Sequence, residues 1–458
     1  MKRLTLAQGR SFLAFSCLLV LPAIAFLAAP TARAVPSFAR QMGVDCSQCH
    51  TQAFGPALTP FGQKFKMYGY VWSKPDAPLL PLAGMIEGPS YTWTKKGQQA
   101  GATKNFSAND NIQLDQLSGF YGGKILDKLG AFGQVTYDGV AEQTHWDNLD
   151  MRFASDATLG DTRLVYGITV NNNPTVQDLW NSTPAWGFPY ASSPVAPTPA
   201  ASPLIANVAQ QVLGVTTYAM WNELLYTEAG AYRSLSNSTL NRLGASNLGA
   251  FEIDSLAPYW RLALQHDWSG QLFSIGTYGL YARGNPSWDS SGGDDYYTDL
   301  GFDATYQYIG SQDHIFGLDT TYIHENQNLS ASHKLGNAEH SNDNLNTFNA
   351  NIYYTYHQTY KGTLGYFNTT GSQDTGLYQP GSVSGSANGK PNSNGWIMEL
   401  DYTPFGKPGS WLAPWANARF SLQYVIYNKF NGRNSNYDGS GRNADDNDTL
   451  YLLAWFLF

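Results

Sequence analysis

Charge is scarce in this chain of 458 residues: Asp, Glu, Lys and Arg make up only 14% of it. An ordinary soluble domain carries about 25%. Disorder does not account for the shortfall, because 29 Tyr, 23 Phe and 13 Trp are far too many aromatics for an unstructured chain. Long hydrophobic runs are also missing. Beyond the N-terminus no stretch reaches the roughly 18 apolar residues of a membrane-crossing helix. Cysteine is rarer still, at three residues, which excludes a disulfide scaffold. These absences leave a large soluble β-protein or a transmembrane β-barrel, and the low charge favours the barrel.

The N-terminus reads as an address. Lys2, Arg3 and Arg10 precede an apolar run from Phe12 to Ala29, and Ala32-Arg33-Ala34 supplies a small-x-small cleavage site. This is the pattern of a secretory signal peptide over residues 1–34, cut after Ala34. Pro22 and Pro30 interrupt the run and argue against a retained anchor helix. Cys17 is expected to leave with the signal. The segment holds four Lys/Arg and no acid, so its removal takes the formal charge from −8 to −12. A nucleic-acid partner is therefore not expected, whereas cations or a basic protein would be attracted.

The two remaining cysteines lie in Cys46-Ser47-Gln48-Cys49-His50. Cys-x-x-Cys-His is the attachment motif of c-type haem. Its thiols add to the two haem vinyl groups, and the adjoining His is placed as the proximal iron ligand. A thioredoxin-like disulfide would need a βαβ context, and a zinc site would need more ligands nearby. The sequence shows neither. The expectation is one covalent haem c held by Cys46, Cys49 and His50.

The sixth iron ligand stays open. Met67 is the leading candidate and Met42 the next, because a thioether suits an electron-transfer haem. The other readings of that position are an open site or a His from elsewhere: His145, His266, His314, His324, His333, His340 or His357. The bland reading of Met67 is a packing residue beside the haem. Thr59 reads as an N-cap with Pro60 at the first helical position, and Phe61, Phe65 and Tyr68 form one apolar face. Met67 falls off that stripe. Residues 35–80 make a haem segment too short to enclose the macrocycle unaided, so the rest of the chain must cover it.

Residues 81–458 read as about 16 antiparallel strands. Leu300, Phe302, Ala304, Tyr306 and Tyr308 alternate with polar residues, as do Trp396, Met398, Leu400 and Tyr402. An apolar row facing lipid against a polar lumen row is what an outer-membrane barrel requires, although a soluble sandwich alternates too. Connection lengths decide: brief turns such as Ser269-Gly270 follow the even-numbered strands, and long polar loops follow the odd ones, as in bacterial barrels. The longest loop, from Asn172 to about Leu213, either covers the surface or folds into the lumen. Asp289, Asp294 and Asp295, and Asp438, Asp445, Asp446 and Asp448, read as solvated loop charge. Leu450, Leu452, Ala454, Phe456 and Phe458 alternate up to a terminal aromatic, which resembles the assembly signal of outer-membrane barrels.

One haem motif ahead of a barrel-length β region resembles the outer-membrane fused cytochrome–porin family, whose best-known members oxidise iron(II) at the cell surface. The resemblance is carried by Phe38-Ala39-Arg40-Gln41, by Cys46 to His50, by Leu58-Thr59-Pro60-Phe61-Gly62, and by Phe65-Lys66 and Gly69-Tyr70. Over the barrel it is one of layout. It implies thioether bonds at Cys46 and Cys49, an iron ligand at His50, and a location in the bacterial outer membrane with the haem segment periplasmic or in the lumen. It further implies electron transfer, of an iron(II):cytochrome c type, between an extracellular donor such as Fe(II) and a periplasmic c-type cytochrome or other soluble carrier. The alternative is a diffusion porin for small polar solutes, with a regulatory or structural haem.

Overall fold

The structure is a computed structural model and describes residues 35–76, 80–98, 105–245 and 251–458. The signal peptide expected over 1–34, with Cys17, lies outside the described residues.

Eighteen strand segments form a single sheet that closes on itself. The first six are β1 (Leu82–Thr94), β2 (Asn111–Gln113), β3 (Gln116–Leu126), β4 (Leu129–Asp138), β5 (Gln143–Leu159) and β6 (Thr162–Asn171). After a long loop come β7 (Val212–Trp221), β8 (Leu225–Ser234), β9 (Phe251–Ile253), β10 (Ala257–Trp268), β11 (Gln271–Pro286) and β12 (Asp295–Ser311). The last are β13 (His314–Asn328), β14 (Asn342–Tyr356), β15 (Tyr360–Gly371), β16 (Ser393–Tyr402), β17 (Asn417–Lys429) and β18 (Thr449–Leu457). β2 and β3 both pair with β1, and β9 and β10 both pair with β11, so each couple is one interrupted strand. The barrel therefore has 16 antiparallel strands, as expected. β18 closes onto β1, with Thr449 opposite Thr94 and Leu457 opposite Met85.

Burial is inverted relative to a water-soluble protein. On β16, Met398 and Leu400 are exposed while Glu399 and Asp401 are buried; on β17, Phe420 and Leu422 face out and Arg419 faces in. Leu400 is 62% exposed and Arg419 only 2%. Apolar residues outside and charges inside fit a wall bathed in lipid around a polar lumen, because closure leaves no strand edge unpaired in the hydrocarbon. The inward charges pair. Arg261 chelates Asp303 at 2.9 and 2.8 Å, and Arg419 binds Glu399 at 2.6 Å and Asp401 at 2.8 Å.

Connection lengths alternate from end to end. One end has the short turns 127–128, 160–161, 222–224, 269–270, 312–313 and 357–359, and the other has the long loops. Two connections depart from this rule. Residues 139–142 are brief because β5, 17 residues long, starts as early as Gln143. Residues 403–416 are long at the short-turn end, where they pack against the N-terminal segment.

The loop from 172 to 211 folds into the lumen, which settles the choice left open by its sequence. Asn172, Thr175, Gln177, Asp178 and Thr183 are fully buried. Asp178 accepts from Ser182 N at 3.0 Å and Thr183 Oγ1 at 3.0 Å and pairs with Arg261 at 3.2 Å. Further along, Ser182 Oγ donates to Asp303 at 2.7 Å, Gln423 Nε2 to Ala191 O at 3.0 Å, and Ile205 N to Asp299 at 2.8 Å. The loop is thus tied to opposite parts of the wall.

The outer acidic residues are less solvated than expected. Asp295 and Asp438 are buried. Asp295 holds the N–H groups of Ala331 and Ser332, and Asp438 those of Val383, Ser440 and Arg442. They are loop anchors, a role that composition does not reveal. Asp445 and Asp446 pair with Lys95 and Lys96.

Candidate functional site: a helical segment seated in the lumen

Residues 35–76 enter the barrel at the short-turn end as three helices: α1 (Pro36–Met42), α2 (Cys46–Cys49) and α3 (Pro60–Met67). α1 begins with proline and ends on Gly43 at φ 67°, whose N–H returns to Ala39 O at 2.7 Å. α3 is capped as the sequence suggests, with Gly62 N donating to Thr59 Oγ1 at 3.3 Å. Its aromatic stripe packs on a ring that periodicity did not single out. Trp72 lies 5.8 Å from Phe61, 6.3 Å from Phe65 and 5.1 Å from Tyr68.

α2 is a single helical turn, so Cys46 and Cys49, three residues apart, share one face. α2 crosses α3 at Gly62, where a Cβ would run into the Cys49 carbonyl oxygen and lie 3.1 Å from its Cα. Glycine is required there by the approach of the two backbones.

Cys46, Cys49 and His50 open together onto a cavity of about 420 Å³. Its walls are mostly apolar and come from three sources: Phe38, Phe54 and Phe65 of the segment, Phe120, Phe132 and Trp455 of the barrel, and Trp186 and Tyr190 of the inward loop. Burial pushes the Cys49 thiol up to about 12. Burial also pushes His50 down to about 4, the Gly55 backbone offsetting part of the shift. The imidazole is therefore neutral at pH 7 with a lone pair available to a metal, and its Nδ1 is buried without a well-formed hydrogen bond among the described residues. Two adjacent thiols, a neutral imidazole and an aromatic chamber fit a covalently held haem.

The two methionines part company. Met42 lines the cavity. Met67 is 3% exposed and packs away from it with Leu179, Met220 and Tyr226, while its carbonyl accepts from Tyr218 OH at 2.6 Å. The structure thus does not bring Met67 together with Cys46, Cys49 and His50. Off the aromatic stripe, Met67 points to the barrel wall rather than to the chamber. None of the seven candidate histidines lines the cavity either.

Several residues that sequence reasoning passed over hold the segment in place. Gln358, in a short turn, donates to Ser47 O at 2.9 Å and His50 O at 3.0 Å. Asn417 donates to Ala53 O at 2.7 Å and lies 3.5 Å from Cys46 Sγ. Gln307 donates to Leu58 O at 2.9 Å. The long turn 403–416 covers the segment from below: Ser47 N donates to Gly406 O at 3.1 Å, and Arg40 stacks 5.0 Å from Trp415. Gln41 reaches Tyr70 O at 2.6 Å and accepts from Lys124 N at 2.7 Å. Phe38-Ala39-Arg40-Gln41 thus fastens the segment to β1 and β3.

Lys66 also lines the cavity and ties it to the loop, donating to Val176 O at 2.8 Å and Asn181 Oδ1 at 2.9 Å. Burial, then repulsion by Arg152, pushes its amine down to about 7 against the pull of Asp150, Asp178 and Glu228. Beyond the loop lies a second cavity of about 430 Å³, lined by Thr320, Thr321, Asn349 and Asn351 among others, with Asp319 its one charged residue among the described residues. Asn181, Pro184, Gly187, Pro189 and Tyr190 border both cavities. The loop is the partition between an inner aromatic chamber and an outer polar vestibule.

These features define a 16-stranded transmembrane barrel of the outer-membrane type, with a helical segment and a long loop packed in its lumen. No protein-family model and no curated protein sequence matches the chain. Among solved structures it is similar in layout to an anion-selective porin from Comamonas acidovorans (9% identity, 82% of this chain and 98% of that one, TM-score 0.44). It is similar in the same way to OmpF of Salmonella typhi in complex with daunomycin (14% identity, 82% and 97%, TM-score 0.43). A third is the outer-membrane channel DcaP of Acinetobacter baumannii (10% identity, 82% and 96%, TM-score 0.42).

Proposed function

We propose that this barrel carries one covalent haem c on Cys46 and Cys49, with His50 as proximal ligand, and conducts electrons across the outer membrane. The observation that carries the reading is the placement of the complete Cys-x-x-Cys-His motif on a largely aromatic chamber inside the lumen. Bound there, the haem would supply a one-electron redox centre. The residues supply its surroundings. Phe38, Phe65, Phe120 and Trp455 exclude water, Met42 offers a thioether from the chamber wall, and Gln358 and Asn417 fix the motif backbone.

The hydrocarbon core is about 30 Å thick, so a donor outside and a carrier inside need an intermediate site. Short turns mark the periplasmic end of bacterial barrels. The segment sits at that end, within reach of a soluble periplasmic cytochrome. The vestibule opens on the long-loop side, and its single acid, Asp319, suits a small cation such as Fe(II) or a neutral polar reductant. The resemblance of Phe38 to Tyr70 to the fused cytochrome–porin family supports the same reading.

A second reading is favoured by the barrel itself. A porin-like wall with a polar vestibule suits the passage of small polar solutes, the haem being structural or regulatory. Planar-bilayer conductance of the holoprotein separates the two. A closed barrel whose haem is reduced from outside supports the conduit, and a large steady conductance independent of haem supports the porin.

A further inference from the structure

Far from the haem segment, at the long-loop end, two loops bring a histidine and two carboxylates together. His340 is the last residue but one of the loop 329–341, Asp343 is the second residue of β14, and Asp374 lies in the loop 372–392. Their potential ligand atoms all fall within 4.8 Å of one another. His340 Nδ1 is 3.7 Å from Asp374 Oδ2 and 4.0 Å from Asp343 Oδ1.

Acidic clusters on loops are common, so burial has to decide. The Asp374 side chain is fully buried and that of Asp343 is 5% exposed. Asp374 is locked by the N–H groups of Glu339, His340, Gly376 and Leu377 at 2.8 to 3.0 Å. Asp343 is different: its Oδ2 is buried and makes no well-formed hydrogen bond among the described residues, with only the Ser372 hydroxyl and the Asp374 carboxyl near its side chain. A buried, unsatisfied carboxylate oxygen beside a second carboxylate is costly unless positive charge comes between them. His340 is half exposed and can turn its imidazole toward both.

We propose that His340, Asp343 and Asp374 bind one divalent transition-metal ion at the outer rim. One imidazole with two carboxylates is a donor set that such ions accept, with water completing the shell. The backbone N–H groups on Asp374 would orient that ligand from behind. The ion would fasten the two loops to each other. Neither haem nor electron flow is needed, so the proposal stands or falls separately from the conduit.

The test is titration of the purified full-length holoprotein, on a histidine-free affinity tag, with Zn²⁺ by calorimetry and Co²⁺ by visible absorption. His340→Ala and Asp343→Asn are measured alongside, and heat-modified gel mobility confirms that each barrel is folded. The expected result is one site in the wild type, weakened at least tenfold in each variant, with the Co²⁺ ligand-field bands lost in His340→Ala. Absence of saturable binding, or equal binding by the variants, would overturn the proposal and leave a protonated His340 as the neutralising charge.

Discussion

Gln358 donates from Nε2 to the carbonyl of His50 at 3.0 Å, across 308 residues of sequence. The same amide reaches Ser47 O at 2.9 Å, so one side chain from a barrel turn holds both flanks of the Cys-x-x-Cys-His turn. The Cys-x-x-Cys-His motif is thereby built into the barrel rather than tethered to it.

Replacing Gln358 with Leu leaves two carbonyls without that donor. An unsatisfied buried polar group costs about 1–3 kcal/mol. The expected outcome is a folded barrel with altered haem absorption and a shifted midpoint potential, read by spectroelectrochemistry. An unchanged potential would show that the wall does not position the motif.

Gly62→Ala drives a methyl group into the Cys49 backbone. Haem attachment, read as acid-stable haem per barrel in pyridine haemochrome spectra, should fall severalfold while heat-modified mobility stays normal. Full attachment would show that α2 and α3 can separate freely.

The two methionines give opposite expectations. Met42→Ala should change the haem spectrum, because Met42 lines the chamber. Met67→Ala should leave the spectrum unaltered and lower the melting midpoint, since a buried Met→Ala costs about 2–5 kcal/mol. The reverse pattern would restore Met67 as the distal ligand.

How much of this was legible beforehand follows from what each residue answers to. Lipid demands an apolar residue at every second position, so Leu300 to Tyr308 and Trp396 to Tyr402 announced their strands. The Cys-x-x-Cys-His motif stood out by its spacing, and the structure places Cys46, Cys49 and His50 on one cavity. The side of α3 that faces the chamber was not legible, because the stripe of Phe61, Phe65 and Tyr68 packs on Trp72 and periodicity names no partner. Nor were Gln358 and Asn417, polar residues that look like any other turn or lumen position until the chain closes. The inward path of residues 172–211 rests on contacts such as Asp178 with Arg261, which only the assembled barrel creates.

Lys66 gives a pH dependence. Its folded amine lies near 7, below the ordinary lysine value of 10.5, so the unfolded chain holds more protons between those limits and stability rises with pH there. The melting midpoint should climb from pH 7 to pH 10, and more steeply than in Lys66→Met. Parallel curves would remove Lys66 as the cause.

The central claim is tested most directly in liposomes that carry the protein in one orientation and enclose oxidised cytochrome c. A membrane-impermeant reductant or Fe(II) is added outside, and the enclosed cytochrome is followed by absorbance. The conduit predicts reduction inside by the holoprotein, none by Cys46→Ala/Cys49→Ala barrels, and no leakage of an enclosed small dye. Equal reduction by the haem-free variant, or dye leakage that keeps pace with it, would contradict the conduit and leave a diffusion porin.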